Sequence, residues 1–510
     1  MIEEKTYPKL IKWQLVFIAL FASLFLGLFK MDKPIWIDEG YSIYTSSYDF
    51  KFIVESLKID TGPPLYYILL FLWMKVFGIS EIAVRSLSVS FYLLSVVAVY
   101  YAALTIYKNK NIGLISCILY SLSPLAFGQG QNARMYSLLS LLAVFSMILF
   151  FKLFFDDSLT KKSLFFYILV NSLGTFTHYW YVFSLFSHFV IYWIFSNRKT
   201  WKTFLVSMVF SVLPFLLLWT KIAIGQMKDQ RGKIDWMMPP NLYTLLNTVI
   251  NFYSYKENLE EGILFYILII AMVLIDINKD KIKLRAMSEL KEFFLQKLNI
   301  ILILFVSLSL LAPFFISQFR PIFMPTRQPI LVLFGFVLIL GAILEKFVYR
   351  NLLVFFLWCL LIATTLNVFN GRIDPFLYLY SSKNTAVYML EHAEKGDYVI
   401  LTNNTYHLIV YYFRLAGKEQ FFTQKSFPED LTDFFYPVLI ASQVKSIINE
   451  IDTSKDIKDM KIWVIGKKDS ERDKILFNEL DSKLILQSKL DLQGNFHDIV
   501  YLYKRKSPSE

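Results

Sequence analysis

Apolar positions along this chain do not alternate with polar ones, as they would in a half-buried strand; they gather in unbroken runs. Eleven runs lie near 10–29, 82–107, 111–128, 133–155, 163–178, 180–196, 202–224, 262–277, 298–318, 328–345 and 351–369. A bilayer core takes about 20 apolar residues of helix, so these runs predict membrane-spanning helices. The first follows Lys5, Lys9 and Lys12 and has no small-residue cleavage site, so it reads as an anchor helix with its N-terminus inside.

The stretch Pro64 to Gly78, PLYYILLFLWMKVFG, is shorter, and loop charge decides how it is read. If it lies flat at the surface, the loops carrying Lys108 and Lys110, Lys152 to Lys162, Arg198 to Lys202, Lys279 to Lys297, and Lys346 and Arg350 share a side with the basic N-terminus. That is the positive-inside pattern, and a crossing at Pro64 to Gly78 would invert it. The expectation is eleven spans with interfacial helices in the first outer loop, 30–81. The outer face then holds Lys30 to Gly78, Gly128 to Arg134, the turn at His178, the loop Gly225 to Glu261, Gln318 to Gln328, and everything after Phe369.

The pattern changes after residue 370. A helical segment from Asn384 to Glu394 precedes the strand-like DYVILTNN, then comes a helix over HLIVYYFRLAG, and KIWVIGK and HDIVYLYKR read as strands. The chain therefore divides into a polytopic α-helical membrane domain, 1–370, and a small extracytoplasmic α/β domain, 371–510. The latter shows no Gly-rich phosphate loop and no metal-ligand spacing, which suits a lid or an acceptor-docking domain.

Composition agrees. Of 510 residues 56% are hydrophobic and 18% charged, with mean hydropathy +0.47, whereas soluble chains carry about 25% charged residues. This excludes an ordinary soluble enzyme. Abundant Phe and Tyr, 49 and 31, against 18 Gly and 16 Pro exclude disordered and fibrous classes. The net charge of +11 belongs to the membrane segments, the C-terminal region being nearly balanced, and no basic tract interleaves with aromatics. Nucleic acid is not an expected partner. Cys117 and Cys359 sit inside apolar runs and read as small buried residues.

The unusual polar residues fall on the outer face. Asp38 and Glu39, in PIWIDEGYS, follow the first span; they are either solvated loop charges or a general base placed at the membrane surface. Asp60, in KIDTGPPLYY, is a further acid in the same segment. Arg134, in QGQNARMYSLL, either snorkels to the headgroups or, beside Gln129, Gln131 and Asn132, forms an anion clamp. Arg320 and Arg327, in SQFRPIFMPTRQP, breach the positive-inside trend, which favours a function. His178, in GTFTHYWYVF, is either a satisfied structural residue or a ligand; Tyr136 and Tyr179 are further site candidates. Together these suit a lipid-linked phosphate held by arginines while an acid deprotonates a nucleophile. A transporter would place ionisable groups near the midplane of repeated halves, and no such repeat is visible.

In order, WIDEGY, DTGPPLYYILLFLWMKVFGISEIAVRSLS, SPLAFGQGQNARMYSLLSLLAVFS, THYWY and MPTRQPILVLF resemble the GT-C membrane glycosyltransferases of the protein O-mannosyltransferase and aminoarabinose-transferase group, glycosyltransferase family 39-like. The resemblance runs over about residues 10 to 345. It implies an inverting enzyme of the inner membrane, its site facing the periplasm or cell exterior. Such an enzyme takes a monosaccharide from a polyprenyl-phosphate donor to a hydroxyl on a lipid, glycan or protein. By the same resemblance Asp38 is the general base with Glu39 supporting it, Arg134 and Arg327 bind the donor phosphate with Arg320 nearby, and Asp60 and His178 stand where a divalent metal (zinc, magnesium or manganese) is held in some relatives. This chain has Gly62-Pro63-Pro64 where many relatives carry His-Pro-Pro, and Thr61 where the aminoarabinose branch has lysine, so the sugar stays open. Other readings are a flippase of lipid-linked glycans and an O-antigen ligase or polymerase.

Overall fold

The computed structural model describes residues 7–58, 60, 62–156, 158–228, 237–254, 259–279, 283–371, 382–420, 422–427, 437–453, 461–466, 471–492 and 498–505. Every one of the eleven apolar runs is helical. Helix α1 (Lys9–Leu28) leads into three short helices, α2 (Ile37–Thr45), α3 (Phe50–Lys58) and α4 (Leu65–Phe77). A bundle follows: α5 (Glu81–Ile106), α6 (Lys110–Ser121), α7 (Pro124–Gly130), α8 (Tyr136–Phe154), α9 (Lys161–Thr177), α10 (Tyr181–Phe195), α11 (Trp201–Leu218) and α12 (Thr220–Lys228). It continues through α13 (Leu242–Ile250), α14 (Leu259–Lys279), α15 (Lys283–Leu295), α16 (Lys297–Ile316), α17 (Ile330–Phe347) and α18 (Arg350–Phe369). Part of the loop Gly225 to Glu261 lies outside the described residues.

Among the described residues seven helices are long and apolar enough to cross a membrane, namely α1, α5, α8, α11, α16, α17 and α18, or eight if α6 and α7, bent by 64° at their junction, count as one broken span. This is fewer than the eleven expected crossings. Helices α9 and α10 have 17 and 15 residues, about 22 to 26 Å at 1.5 Å per residue, short of a core about 30 Å thick. Helix α14 opens on Glu260 and Glu261. Helix α4, with 13 residues, is too short to cross, as the charge argument requires.

Helices α8 and α17 are buried along most of their length, while α11 and α18 turn most of their apolar surface outward. Inside, Ser146 Oγ donates to Asn171 Oδ1 (2.6 Å), Tyr181 OH to the same oxygen (3.0 Å), and Tyr120 OH pairs with Ser140 Oγ (2.8 Å). Such bonds fasten helices where the hydrophobic effect gives little preference between helix and lipid.

The C-terminal elements are α19 (Lys383–His392), β1 (Tyr398–Thr402), α20 (Asn403–Leu415), β2 (Thr423–Phe427), α21 (Pro437–Thr453), β3 (Ile462–Gly466), α22 (Glu471–Lys483), β4 (Leu484–Leu492) and β5 (Asp498–Arg505). They build a five-stranded sheet ordered β2-β1-β3-β5-β4. Strand β1 pairs in parallel with β2 and β3, while β5 runs antiparallel to both β3 and β4. Side chains alternate across the sheet: Val399, Leu401, Trp463 and Ile465 join the main core with Leu408 and Met389, and Tyr398, Ile400, Ile462 and Val464 face Val444, Ile448 and Phe477. The strands and helices read from sequence here are present; β2, β4, α21 and α22 are additional.

Helix α20 packs on α2. A Cβ built on Gly40 would stand 2.7 Å from Leu408 Cδ2, so only glycine admits that approach. Tyr412 OH accepts from the Ile35 amide (2.9 Å), Tyr411 OH donates to the Ile79 carbonyl (3.0 Å), and Lys383 pairs with Glu81 (2.8 Å). The C-terminal elements thus brace the helix that carries Asp38.

Candidate active site

The chain leaves α1 with Lys30 in the left-handed region (φ 54°), runs through Pro34, and starts α2 with both acids in its first turn, where a helix N-terminus favours negative charge. Successive helical residues point about 100° apart, and the two carboxylates separate accordingly. Glu39 turns inward and is fully buried. Arg85 of α5, also fully buried, donates to it twice, Nε to Oε1 at 2.9 Å and Nη2 to Oε2 at 2.6 Å. The same guanidinium donates to the carbonyls of Met31 (2.8 Å), Lys33 and Pro34 (2.9 Å). Glu39 Oε1 also accepts the Ala133 amide (2.9 Å), and Ala133 precedes Arg134. One buried ion pair therefore fixes both the residue after Asp38 and the residue before Arg134.

Asp38 turns outward. Its Oδ2 accepts from Arg327 Nη1 at 2.6 Å, with the side chains 27% and 17% exposed respectively. Its other oxygen has no hydrogen-bond partner among the described residues. The Arg327 guanidinium lies over the Trp36 ring, 5.2 Å from its centroid, a cation–π contact that holds it in place. Burial works against the Arg327 charge, and Asp38 outweighs that, so its pKa is held above the ordinary value.

Arg134 stands between α7 and α8, in the segment that follows the helix bent by 64° from α6. Its Nη1 donates to neutral oxygens: Ser42 Oγ (3.0 Å), the Asp38 carbonyl (3.4 Å) and Tyr67 OH (3.5 Å). Its buried Nε has no partner among the described residues. The carboxylates of Asp38 and Asp60 attract it from nearby. Neighbours fasten the segment: Trp36 Nε1 donates to Asn132 Oδ1 (3.1 Å), Gln131 Nε2 to the Phe29 carbonyl (2.8 Å), and Gln129 Nε2 to the Thr326 carbonyl (3.1 Å). The last tie joins this segment to the one bearing Arg327.

Asp60 accepts from Tyr67 OH (2.9 Å); burial, reinforced by Asp60, pushes that phenol well above its usual pKa, so Tyr67 donates as a neutral group. His178 Nδ1 accepts the Trp180 amide (3.1 Å), and its ring lies 5.8 Å from that of Tyr136. Burial, with the Arg134 charge adding to it, pulls His178 down to about 3, so it is neutral. Tyr136 adds to the forces that keep Arg327 charged. Tyr179 OH donates to Gln226 Oε1 and accepts from Trp219 Nε1 (3.2 Å), and Gln226 reaches the Gly62 carbonyl (3.1 Å); Tyr179 thus shores up the loop beyond Asp60. Arg320 reaches the Met227 carbonyl at the end of α12 (2.7 Å), a position that suits a cation at a helix C-terminus.

Asp60 and His178 supply two candidate metal ligands. No group of three His, Cys, Asp or Glu side chains able to hold an ion gathers among the described residues, whereas a zinc site takes at least three protein ligands. The cation beside both of them is Arg134, and no step below passes through a metal.

The structure thus brings Asp38, Arg134, Arg327, Asp60, Tyr136 and His178 into one neighbourhood, with Glu39 beneath it as a support rather than on its open side. Arg85 was not anticipated. Its signal was an arginine inside an apolar run, which demands a buried partner.

Residues 61–223 match the family model of dolichyl-phosphate-mannose-protein mannosyltransferase. That segment holds Arg85, Arg134 and His178. That segment thus resembles the O-mannosyltransferase group. Its fold is similar to that of ArnT from Cupriavidus metallidurans in the apo state, with TM-score 0.63 at 11% identity over 97% of this chain and 98% of that one. The same protein bound to undecaprenyl phosphate gives TM-score 0.60 at 11% identity over 96% and 98% of the two chains. No curated protein matches the sequence. The GT-C-like fold expected from the five motifs holds, and the match over 61–223 agrees with the glycosyltransferase reading.

Proposed function

We propose that this glycosyltransferase inverts the anomeric carbon as it moves a monosaccharide from a polyprenyl-phosphate donor to a hydroxyl acceptor at the outer face of an inner membrane, crossing that membrane eleven times. The observation that carries the reading is a buried guanidinium, Arg134, bonded only to neutral oxygens, beside an outward carboxylate, Asp38. A buried cation without a bonded counter-ion is a site for an anion, and a planar guanidinium grips phosphate oxygens in pairs. The undecaprenyl phosphate bound by the similarly folded ArnT supports the same choice of ligand.

The chemistry then runs in one displacement. The acceptor hydroxyl gives its proton to Asp38 as its oxygen attacks the anomeric carbon from the face opposite the phosphate. The carbon–phosphate oxygen bond breaks, and its electron pair leaves on the phosphate, whose charge Arg134 stabilises. Polyprenyl phosphate is a stable anion and departs without protonation. The acceptor class, whether lipid, glycan or protein, is set by the loops above Asp38 and the braced C-terminal region.

The test is a donor panel. Purified full-length protein in detergent is offered polyprenyl-phosphate monosaccharides with a cell-envelope extract, and free polyprenyl phosphate is measured. Release from one donor supports the reading. Consumption only of pyrophosphate-linked oligosaccharides would favour a ligase or polymerase instead, and movement of intact donor between leaflets a flippase.

A further inference from the structure

The contact between Arg327 and Asp38 joins two groups that the proposed reaction uses separately. A carboxylate oxygen engaged by a guanidinium at 2.6 Å is not free to receive a hydroxyl proton, and a guanidinium spent on a carboxylate is not free to grip phosphate. Yet Arg327 and Arg134 meet at the same residue, Arg134 at the Asp38 carbonyl (3.4 Å) and Arg327 at its carboxylate (2.6 Å). An anion drawn to Arg134 therefore meets Arg327 as well. The ring of Trp36 under Arg327 offers a surface on which its nitrogens can change partners while the cation stays stacked.

We infer that Arg327 is an exchangeable clamp: it holds Asp38 in the donor-free protein and passes to the donor phosphate, so that donor binding frees the Asp38 oxygen that Arg327 engages. This rests on the donor-phosphate reading of Arg134. It makes Arg327 a positioning residue for Asp38: the guanidinium holds one carboxylate oxygen while the site is empty and gives it up as the phosphate arrives.

The experiment measures binding of undecaprenyl phosphate to the full chain in detergent at constant pH and salt, for the parent, Asp38→Asn, Arg327→Gln, the double variant and Arg134→Gln. Removing the competing carboxylate should tighten binding about threefold to tenfold, as expected for coupled neighbours. That gain should vanish when Asp38→Asn is placed in the Arg327→Gln background. A gain of equal size in both backgrounds would reveal simple charge repulsion and overturn the exchange, as would unchanged or weaker binding in Asp38→Asn. Binding lost in Arg134→Gln but unaltered in Asp38→Asn would leave the donor reading standing and the exchange refuted. Binding indifferent to Arg134→Gln would sink both. Asp38→Ser repeats the measurement where Asp38→Asn gives no folded protein.

Discussion

Asp38 and Glu39 are neighbours in sequence with the same chemistry, and each meets an arginine at 2.6 Å, yet the two pairs have opposite characters. The Glu39–Arg85 pair has no exposed surface, binds five further groups through its oxygens and nitrogens, and ties α2, α5 and the segment before Arg134 together. The Asp38–Arg327 pair is partly open, leaves one carboxylate oxygen free, and spans two otherwise separate segments. Burial with every donor and acceptor satisfied makes an ion pair a rivet. Partial exposure with a spare oxygen makes it a reactive contact that a ligand can reopen. A helix turn of about 100° between adjacent residues is all that separates the two outcomes.

Breaking the rivet is the largest expected effect. Glu39→Gln or Arg85→Met leaves one charge buried and unpaired, at a cost of about 3 to 5 kcal/mol. The detergent-solubilised variant should unfold at clearly lower temperature, with loss of activity following loss of fold. Replacing both, as Glu39→Leu with Arg85→Met, removes the unpaired charge but strands the five backbone groups that the pair binds, so it should recover only part of that stability and not the register of Asp38 against Arg134, and transfer stays low. Full activity in the double variant would erase the distinction between the two pairs.

A middle-sized effect tests the brace above them. Gly40→Ala puts a methyl 2.7 Å from Leu408, and overpacking of that kind costs about 1 to 3 kcal/mol. Leu408→Ala should relieve it, and limited proteolysis of the C-terminal region reads both.

The smallest effect, read per pH unit, is a pH dependence at the same interface. His407 of α20 sits 5.3 Å from the Tyr41 ring and 4.8 Å from that of Tyr44, with neither ring nitrogen partnered among the described residues. Burial lowers it from 6.5 to about 4. The unfolded chain therefore takes up the proton first: the stability is fully present above pH 6.5 and falls as pH drops toward about 4, by at most about 1.4 kcal/mol per unit. His407→Phe should flatten that slope in a thermal scan, while an unchanged slope would place the titration elsewhere.

The helical runs were legible because lipid leaves the backbone no alternative, and the acids and arginines because charges beside apolar runs stand out. What the sequence pattern could not supply was pairing. Asp38 and Arg327 lie 289 positions apart, Glu39 and Arg85 46, and nothing local says which carboxylate turns inward. Arg320 and Arg327 looked equivalent in SQFRPIFMPTRQP, yet one ends on the α12 carbonyls and the other on Asp38. Strand β4, LILQSKLDL, was missed because it follows α22 without a turn residue to mark the change.

The most direct test of the account is transfer by Asp38→Asn beside the parent, with a donor that the parent uses. The account predicts a folded variant that still binds undecaprenyl phosphate and releases polyprenyl phosphate from the sugar donor about 10² to 10⁴ times more slowly. Release at the parent's rate by that folded variant would contradict it and remove Asp38 from the chemistry.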